Sequence, residues 1–407
     1  MSKAKKKKKA KQSGARAAAR AEQRAQNKAQ NEELLEKAIN ETPQALAAEP
    51  EKPKGKKKLW KRLGIVAFVA LNAAVIYFTA VKEFSGNKSE PLKPFTFQNV
   101  LFLLGGLLCL VVVLACESIK YMMMMRHLGE KVSLRHAFVT AALGKYYDCI
   151  TPSGAGGQPF QIYYLHTSGY SNGAASAMPL TGFLTMQFGF VFLCIITFIF
   201  GNGAINATGK AGIKVTAYIG AIAYTVVPVM ILISGIAPKI SMRIVAGVVR
   251  FGAKLHIFKN PNHTIVKAIR SLHNYSVNIK RITQDRVLFV KLLVLSTLFQ
   301  LAICSMPFFA VHAFGGDINY FDAVFICVFV MAAITLVPTP GNSGAAEGLF
   351  YIAFSSLDKS GTFWAMLVWR LMCYYSFIII GVLIYGFQAV ERLLKKRREA
   401  TITEKAE

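Results

Sequence analysis

Two short stretches of the sequence combine helix-breaking residues with ionisable side chains. The first reads GKYYDCITPSGAGGQP at 144–159, and the second reads VPTPGNSGAAEG at 337–348. Proline lacks an amide proton and glycine allows tight turns, so a helix is expected to stop within each stretch. Where a helix starts again after the break, its unpaired N–H groups and positive dipole end suit an anion such as a lipid phosphate. Each stretch is therefore a candidate ligand site.

The candidate substrate-binding residues are the polar, ionisable and glycine positions at and beside the two breaks. They are Lys145, Tyr147, Asp148, Thr151, Ser153, Gly156, Gly157, Gln158, Thr339, Gly341, Asn342, Ser343, Glu347 and Arg370. Lys145 and Asp148 share one face of a helix and can form an ion pair. A Glu347–Arg370 pair would join the second stretch to the apolar run that follows it. The alternative interpretation is that the pairs are internal contacts and the breaks only packing kinks.

Glu117 and Lys120 are the other ionisable residues close to a long apolar run. Because they lie at the end of the run 100–117 and just after it, we expect them near a membrane interface. Their side chains would then extend towards the head groups while their carbon stems cover apolar surface.

The elements that must position these residues are membrane helices. Of the 407 residues, 54% are hydrophobic. Runs near the ~20 residues needed to cross a bilayer occupy 63–81, 100–117, 174–200, 213–236, 287–310 and 361–388. Two further regions, 134–168 and 321–356, are each long enough for two short helices around a break.

The basic residues of the loops predict the side of the membrane on which each loop lies. Both termini are basic, as are the segments 118–135 and 237–286, so we expect all of these in the cytoplasm. The segments 201–212 and 312–320 hold one lysine between them and are expected outside.

These assignments constrain the two broken regions. Region 134–168 must enter from the cytoplasm and return there, whereas 321–356 must enter from outside and return outside. The predicted fold is an all-α polytopic membrane protein with six full transmembrane helices and two re-entrant broken-helix hairpins. Repeat one (63–200) and repeat two (213–388) form an inverted-topology repeat, a layout typical of transporters with alternating access.

The tails and one loop surround this transmembrane domain, which is expected to span 59–392. Residues 1–58 hold 17 Lys/Arg against 7 Glu, which predicts a disordered cytoplasmic tail that contacts anionic head groups. The loop 237–286 is expected to include a basic amphipathic helix, and 393–407 a basic cytoplasmic tail. No aromatic residue precedes Trp60, so specific nucleic-acid binding is not expected.

Motifs of soluble and intramembrane enzymes do not account for the sequence. It has no HExxH, P-loop or dinucleotide-binding motif, and its seven cysteines lack metal-ligand spacing. The segment Gly341–Gly344 fits the GxSG pattern of intramembrane serine proteases, but no histidine follows His312 to act as base. We therefore expect no catalytic residue, metal or cofactor.

The stretches YYDCITPSGAGGQPFQIYYL and PTPGNSGAAEG resemble the flippase-like family, also called the lysylphosphatidylglycerol synthase transmembrane region, over about residues 60–392. The resemblance implies a domain that moves lysyl-phosphatidylglycerol or another polar lipid between leaflets, linked to lipid metabolism and cationic peptide resistance. Bifunctional members add a domain that transfers lysine from lysyl-tRNA to phosphatidylglycerol. Only 19 residues follow Gln388, so we expect that domain to be absent. Lys145, Asp148 and Asn342 depart from the family pattern and leave the head group open.

The expected function is that of a lipid flippase in a bacterial plasma membrane, with both termini cytoplasmic. Its partners would be membrane phospholipids and a separate lipid-modifying synthase. Two alternatives stay open: a phosphatidylglycerol lysyltransferase, as the family label implies, and a membrane scaffold for a separate synthase.

Overall fold

The structure is a computed structural model that describes residues 77, 81, 96–151, 154, 156–209, 211–236, 247, 284–335, 337, 339–355 and 361–406. Within these residues all regular secondary structure is helical. The chain divides into two compact units, one of 55–232 with 277–407 and one of 1–54 with 233–276. The packing described below is that of the first unit.

Eleven helices are described in this part of the chain. In order they are α1 (Phe97–His127), α2 (Leu134–Ile150), α3 (Gly157–Thr167), α4 (Asn172–Phe200), α5 (Asn202–Ala207), α6 (Ala211–Ile236), α7 (Arg286–Ala313), α8 (Tyr320–Ile334), α9 (Ala345–Phe354), α10 (Thr362–Arg370) and α11 (Ser376–Ala406). A π-helical turn, Leu371–Tyr375, joins α10 to α11 without interrupting the run.

Four runs are long and apolar enough to cross a membrane. They are Phe97–His127, Gly173–Phe200, Arg286–Ala313 and Thr362–Glu391. Four of the six predicted spans are thereby confirmed as long apolar helices. The span predicted at 213–236 lies in α6, whose described apolar part, Ala211–Val226, is shorter.

Several predicted segments fall outside the described residues. They are the tail 1–58, the span 63–81 apart from two positions, and nearly all of the loop 237–286. Residues 393–406 of the predicted C-terminal tail continue α11 as helix.

Polar side chains fix where several helices begin. Ser133 Oγ accepts a hydrogen bond from the His136 amide at 3.2 Å at the start of α2. Asp285 Oδ1 accepts one from the amide of Leu288 at 3.0 Å at the start of α7. Each cap satisfies an amide that lacks a partner within its helix, so each helix has a defined first residue.

The helices α1 and α7 pack against each other more extensively than any other pair and form the frame of the unit. The α2–α3 pair packs through α2 on α1, and the α8–α9 pair packs through α8 on α7. In addition, α2 contacts α11 and α8 contacts α4. Each broken pair therefore contacts the last long helix of the opposite half of the chain.

The outer face of α1 is apolar and exposed. Leu101, Leu104, Leu108 and Val111 lie at helical spacing and are each at least half exposed. Water would disfavour such a continuous stripe, whereas lipid tails cover it at no cost. The exposed stripe supports the assignment of α1 as a membrane helix.

Close packing of α4 on α7 at Gly189 gives a first prediction. A Cβ at this position would lie 2.9 Å from backbone atoms of Ser296 and Thr297 on α7. Gly189→Val should force the two helices apart and lower the free energy of unfolding by about 1–3 kcal/mol. The measurement is unfolding of the purified protein in mixed micelles. Gly173→Val on the same helix is the control, since a Cβ there meets no atom within 4 Å; equal losses for both variants would contradict the packing.

Candidate functional site

The second break, residues 335–344 between α8 and α9, ends in a turn built from left-handed residues. Gly341, Asn342 and Gly344 have φ angles of 55°, 53° and 88°. Because side chains rarely adopt this region, the two glycines are required by the turn. A Cβ at Gly341 would also collide with the ring of Tyr374.

The carboxylate of Glu347 closes this turn. Glu347 Oε2 accepts a hydrogen bond at 2.6 Å from the amide of Gly344, which precedes the first residue of α9. That amide has no partner within the helix, so the carboxylate satisfies it and also complements the positive end of the helix.

Arg370 binds the other oxygen of the same carboxylate. Its Nε donates to Glu347 Oε1 at 2.6 Å, and its Nη2 donates to the carbonyl of Gly341 at 3.3 Å. The side chains of Arg370 and Glu347 are 5% and 3% exposed. The predicted pair is thus confirmed, and it ties both α9 and the turn to α10. Because both charges are buried, each depends on the other for compensation.

Tyr374, in the π-helical turn, connects the second break to the first. Its ring packs on Gly341 and lies 4.8 Å from the Arg370 guanidinium carbon. Its hydroxyl donates at 3.1 Å to the carbonyl of Cys149, in the last turn of α2. That carbonyl belongs to a helix end and has no intrahelical partner. Tyr374 was not among the predicted site residues, and π-helical turns of this kind occur often at functional sites.

The first break, residues 151–156 between α2 and α3, is also closed by a carboxylate. Asp148 Oδ1 accepts a hydrogen bond at 2.9 Å from the amide of Gly157, the first residue of α3. A Cβ at Gly157 would collide with this carboxylate, so the position requires glycine. Asp148 Oδ2 lies 3.7 Å from Lys145 Nζ, which confirms the predicted pair.

Thr151 completes the closure of the first break. Its hydroxyl donates to the carbonyl of Tyr147 at 2.7 Å and accepts from the amide of Gly156 at 2.9 Å. The ring of Tyr147 stacks on Phe160 of α3 at a centroid distance of 4.0 Å. The Tyr147 hydroxyl lies 2.9 Å from that of Tyr385 on α11. Aromatic side chains therefore join both halves of the broken pair to the last helix.

The expectation that the side chains of Glu117 and Lys120 extend towards the head groups is wrong. The two residues are 3% and 0% exposed, and Lys120 Nζ lies 2.7 Å from Glu117 Oε2. The ammonium also donates to the Gly182 carbonyl at 3.4 Å and the Ser296 hydroxyl at 3.3 Å. The charges end the apolar run in the sequence, but α1 continues to His127, so the pair lies within a helix. Packing by α4 and α7 buries it.

The remaining predicted residues lie around the two closures. Thr339 Oγ1 donates to the carbonyl of Ser343 at 2.9 Å within the second break. The side chain of Ser343 is buried at 1% exposure. Gln158 lies half-buried in the first turn of α3, and Ser153 falls outside the described residues.

The geometry bears directly on the expected anion site. The amides of Gly157 and Gly344 are each occupied by a carboxylate of the chain itself. An external phosphate could use these amides only by displacing Asp148 or Glu347. The described residues contain no group of three or more His, Cys, Asp or Glu that could hold a metal ion.

The sequence is similar to a protein family and to a known membrane protein. The sequence model of the family described as "Lysylphosphatidylglycerol synthase TM region" matches residues 62–381, which include both breaks. A UPF0104 membrane protein of Methanothermobacter thermautotrophicus is 22% identical over 344 residues, which cover 82% of this chain and 97% of that protein.

The buried pair at the second break gives the next prediction. Glu347→Gln leaves the Arg370 cation buried without its counter-charge and should lower the free energy of unfolding by about 3–5 kcal/mol. Glu391→Gln is the matched control, because Glu391 pairs with Arg135 at 2.9 Å on the exposed surface; its loss should stay below about 1 kcal/mol. Denaturant titration in detergent would measure both. A loss at Glu347 no larger than that at Glu391 would contradict the role of the pair.

Proposed function

The chain belongs to the lysylphosphatidylglycerol synthase TM region family, and from this premise we propose that it moves a polar phospholipid between the leaflets of a membrane. The leading candidate substrate is lysyl-phosphatidylglycerol. The observation that carries the proposal is the pair of helix breaks, each closed by a carboxylate with a cationic partner and joined to the other through Tyr374. Such breaks at membrane depth are typical of binding sites in transporters.

The proposed architecture is the inverted repeat with six spans and two re-entrant hairpins. Its support is the exchange of contacts between the two halves. The pair α2–α3 packs on α1 and α11, and the pair α8–α9 packs on α7 and α4. If the halves are related by a two-fold axis in the membrane plane, α1 corresponds to α7 and α4 to α10–α11. The contacts of α2–α3 with α1 and α11 then correspond to those of α8–α9 with α7 and α4.

The charges of the breaks favour a head group that carries both signs. A lone phosphate entering at Gly157 would meet Asp148, which is already there. A head group with a phosphate and an ammonium can instead exchange partners with the Asp148–Lys145 pair. Its phosphate would take the amide and Lys145, and its ammonium would take Asp148. When one phosphate and one ammonium enter, this exchange buries no net charge, so the cost of desolvation is reduced.

The proposed orientation places both termini and the basic loop 237–286 in the cytoplasm, within a plasma membrane. The basis is the excess of Lys and Arg in these segments, which opposes their translocation. The same residues would attract anionic phospholipids to the cytoplasmic surface.

A second candidate, lysyl transfer to phosphatidylglycerol, is favoured only by the word synthase in the family description. Incubation of the purified chain with lysyl-tRNA and phosphatidylglycerol separates the two functions. Lysyl-lipid product made by the chain alone would support the transferase. A scaffold for a separate synthase would not move lipid by itself, and its support of the synthase would tolerate Asp148→Asn.

Lipid movement can be tested directly in reconstituted vesicles. Wild-type protein should carry a fluorescent lysyl-phosphatidylglycerol from the inner leaflet to the outer, where a membrane-impermeant reductant quenches it. Asp148→Asn removes one charged hydrogen bond and should slow this movement roughly tenfold.

Two controls accompany this assay: a matched substitution at an exposed ion pair and a lipid that lacks the phosphate. Glu391→Gln makes the same chemical change at an exposed ion pair and should move lipid at the wild-type rate. A labelled lipid without a phosphate should not be moved. A wild-type rate equal to that of protein-free vesicles would overturn the proposed function.

A further inference from the structure

Four charged side chains collect beside the first break. Glu117 and Lys120 come from α1, and Lys145 and Asp148 come from α2. With all four ionised the cluster is neutral. Buried pairs of this kind are no better than apolar side chains for stability, so their presence in a membrane helix bundle points to a function.

The first ammonium is enclosed by α4 and α7. Lys120 Nζ lies 3.4 Å from the Gly182 carbonyl on α4 and 3.3 Å from the Ser296 hydroxyl on α7. No part of the residue is exposed. Lys120 is therefore fixed between three helices together with Glu117.

The second ammonium lies in the same groove, one helical turn further along. Lys145 Nζ lies 3.3 Å from Met186 Sδ on α4 and 4.8 Å from the centre of the Phe299 ring on α7. Met186 follows Gly182 by four residues and Phe299 follows Ser296 by three. A helical turn rises about 5.4 Å, so Lys145 is the neighbour of the Glu117–Lys120 pair along the groove.

Lys145 and Asp148 form the loosest of the buried pairs. Their charged atoms are 3.7 Å apart, whereas Lys120–Glu117 is 2.7 Å and Arg370–Glu347 is 2.6 Å. Their side chains are 16% and 20% exposed, against at most 5% in the other two pairs. Asp148 is thus the more exposed of the two carboxylates in the cluster.

Asp148 has two contacts that depend on its negative charge. It pairs with Lys145, and it accepts the hydrogen bond from the Gly157 amide that closes the first break. A proton on Asp148 removes the ion pair and weakens the hydrogen bond. Glu117 is then the ionised carboxylate nearest to Lys145 in the cluster.

We propose that these four residues form a proton-operated latch on the first break. Proton uptake by Asp148 releases the Gly157 amide and lets Lys145 turn towards Glu117. The cluster then has one net positive charge beside a free amide at the start of α3, which together attract the phosphate of a lipid head group. Asp148 must lose this proton again before it can pair with the ammonium of the head group. Proton uptake and phosphate binding are thereby coupled. The use of the latch in transport rests on the proposed function, but its opening by a proton does not.

The other groups around Asp148 do not supply a competing charge. The titratable or charged side chains that act on it or on its partners are Cys116, Glu117, Lys120 and Tyr121 on α1, Lys145 and Cys149 on α2, Tyr224 on α6 and Arg370 on α10. On α3, the uncharged Gln161 donates through its amide to the Tyr121 hydroxyl at 2.9 Å. Buried thiols and phenols stay neutral at physiological pH. Arg370 is already paired with Glu347.

Hydrogen exchange tests the latch without any assay of transport. The full chain is placed in nanodiscs of phosphatidylethanolamine and phosphatidylglycerol, and exchange of peptides covering 144–161 is followed from about pH 5 to pH 8, around the titration range of a perturbed carboxylate. After correction for intrinsic exchange, protection of the first turn of α3 should fall at least tenfold towards low pH.

Two variants of the cluster should shift the pH midpoint of the fall in protection in opposite directions. Lys145→Gln removes the cation that holds Asp148 ionised, so the midpoint should move to higher pH. Glu117→Gln with Lys120→Met keeps the cluster neutral but removes the alternative partner of Lys145, so the midpoint should move to lower pH. Asp148→Asn should abolish the pH dependence, and Glu391→Gln should leave it as in the wild type.

The outcomes separate the latch from the proposed function. Protection that is constant with pH in the wild type would overturn the latch, as would one common midpoint for all variants. Movement of the fluorescent lysyl-phosphatidylglycerol, added to the same lipid mixture, is the second readout. A pH-dependent change in protection without lipid movement would support the latch and count against transport. Lipid movement with protection that stays constant with pH would support transport and overturn the latch.

Discussion

The structure depends on one constraint: a backbone amide removed from water must find a hydrogen-bond partner. An unbroken helix meets this requirement by itself, but the two breaks expose amides at the starts of α3 and α9. In both cases the chain supplies a carboxylate, Asp148 for Gly157 and Glu347 for Gly344. A buried carboxylate in turn requires a cation, and Lys145 and Arg370 follow from that need. The charged residues of the site are therefore consequences of the breaks.

The two carboxylates that close the breaks differ in their burial and in the distance to their cationic partners. Glu347 follows its break and reaches back to it, within a pair that is almost completely buried. Asp148 precedes its break and reaches forward, within a looser and partly exposed pair. The ion pair of the second break is consequently the shorter and more deeply buried of the two. Tyr374 connects the two breaks, because it contacts Gly341 and binds the carbonyl of Cys149.

The frame that holds both breaks is the contact between α1 and α7, which includes the buried Glu117–Lys120 pair. Ser296 of α7 and Gly182 of α4 bind the same ammonium, so polar contacts join three helices within an apolar interior. Apolar packing alone would allow such helices to slide, whereas a buried ion pair has one favourable arrangement. This frame is the surface on which both broken pairs pack.

The sequence by itself determined the features that depend on neighbouring residues. Apolar runs gave the long helices, proline and glycine gave the breaks, and a spacing of three residues gave the Lys145–Asp148 pair. The Glu347–Arg370 pair was also predicted, because few ionisable residues occur at that depth. Only the tertiary structure decided the rest. The burial of Glu117 and Lys120, the role of Tyr374 and the occupation of the two amides by carboxylates all depend on helices distant in sequence. Local composition predicts where a helix runs, but the partners of its polar groups are fixed only when the helices pack.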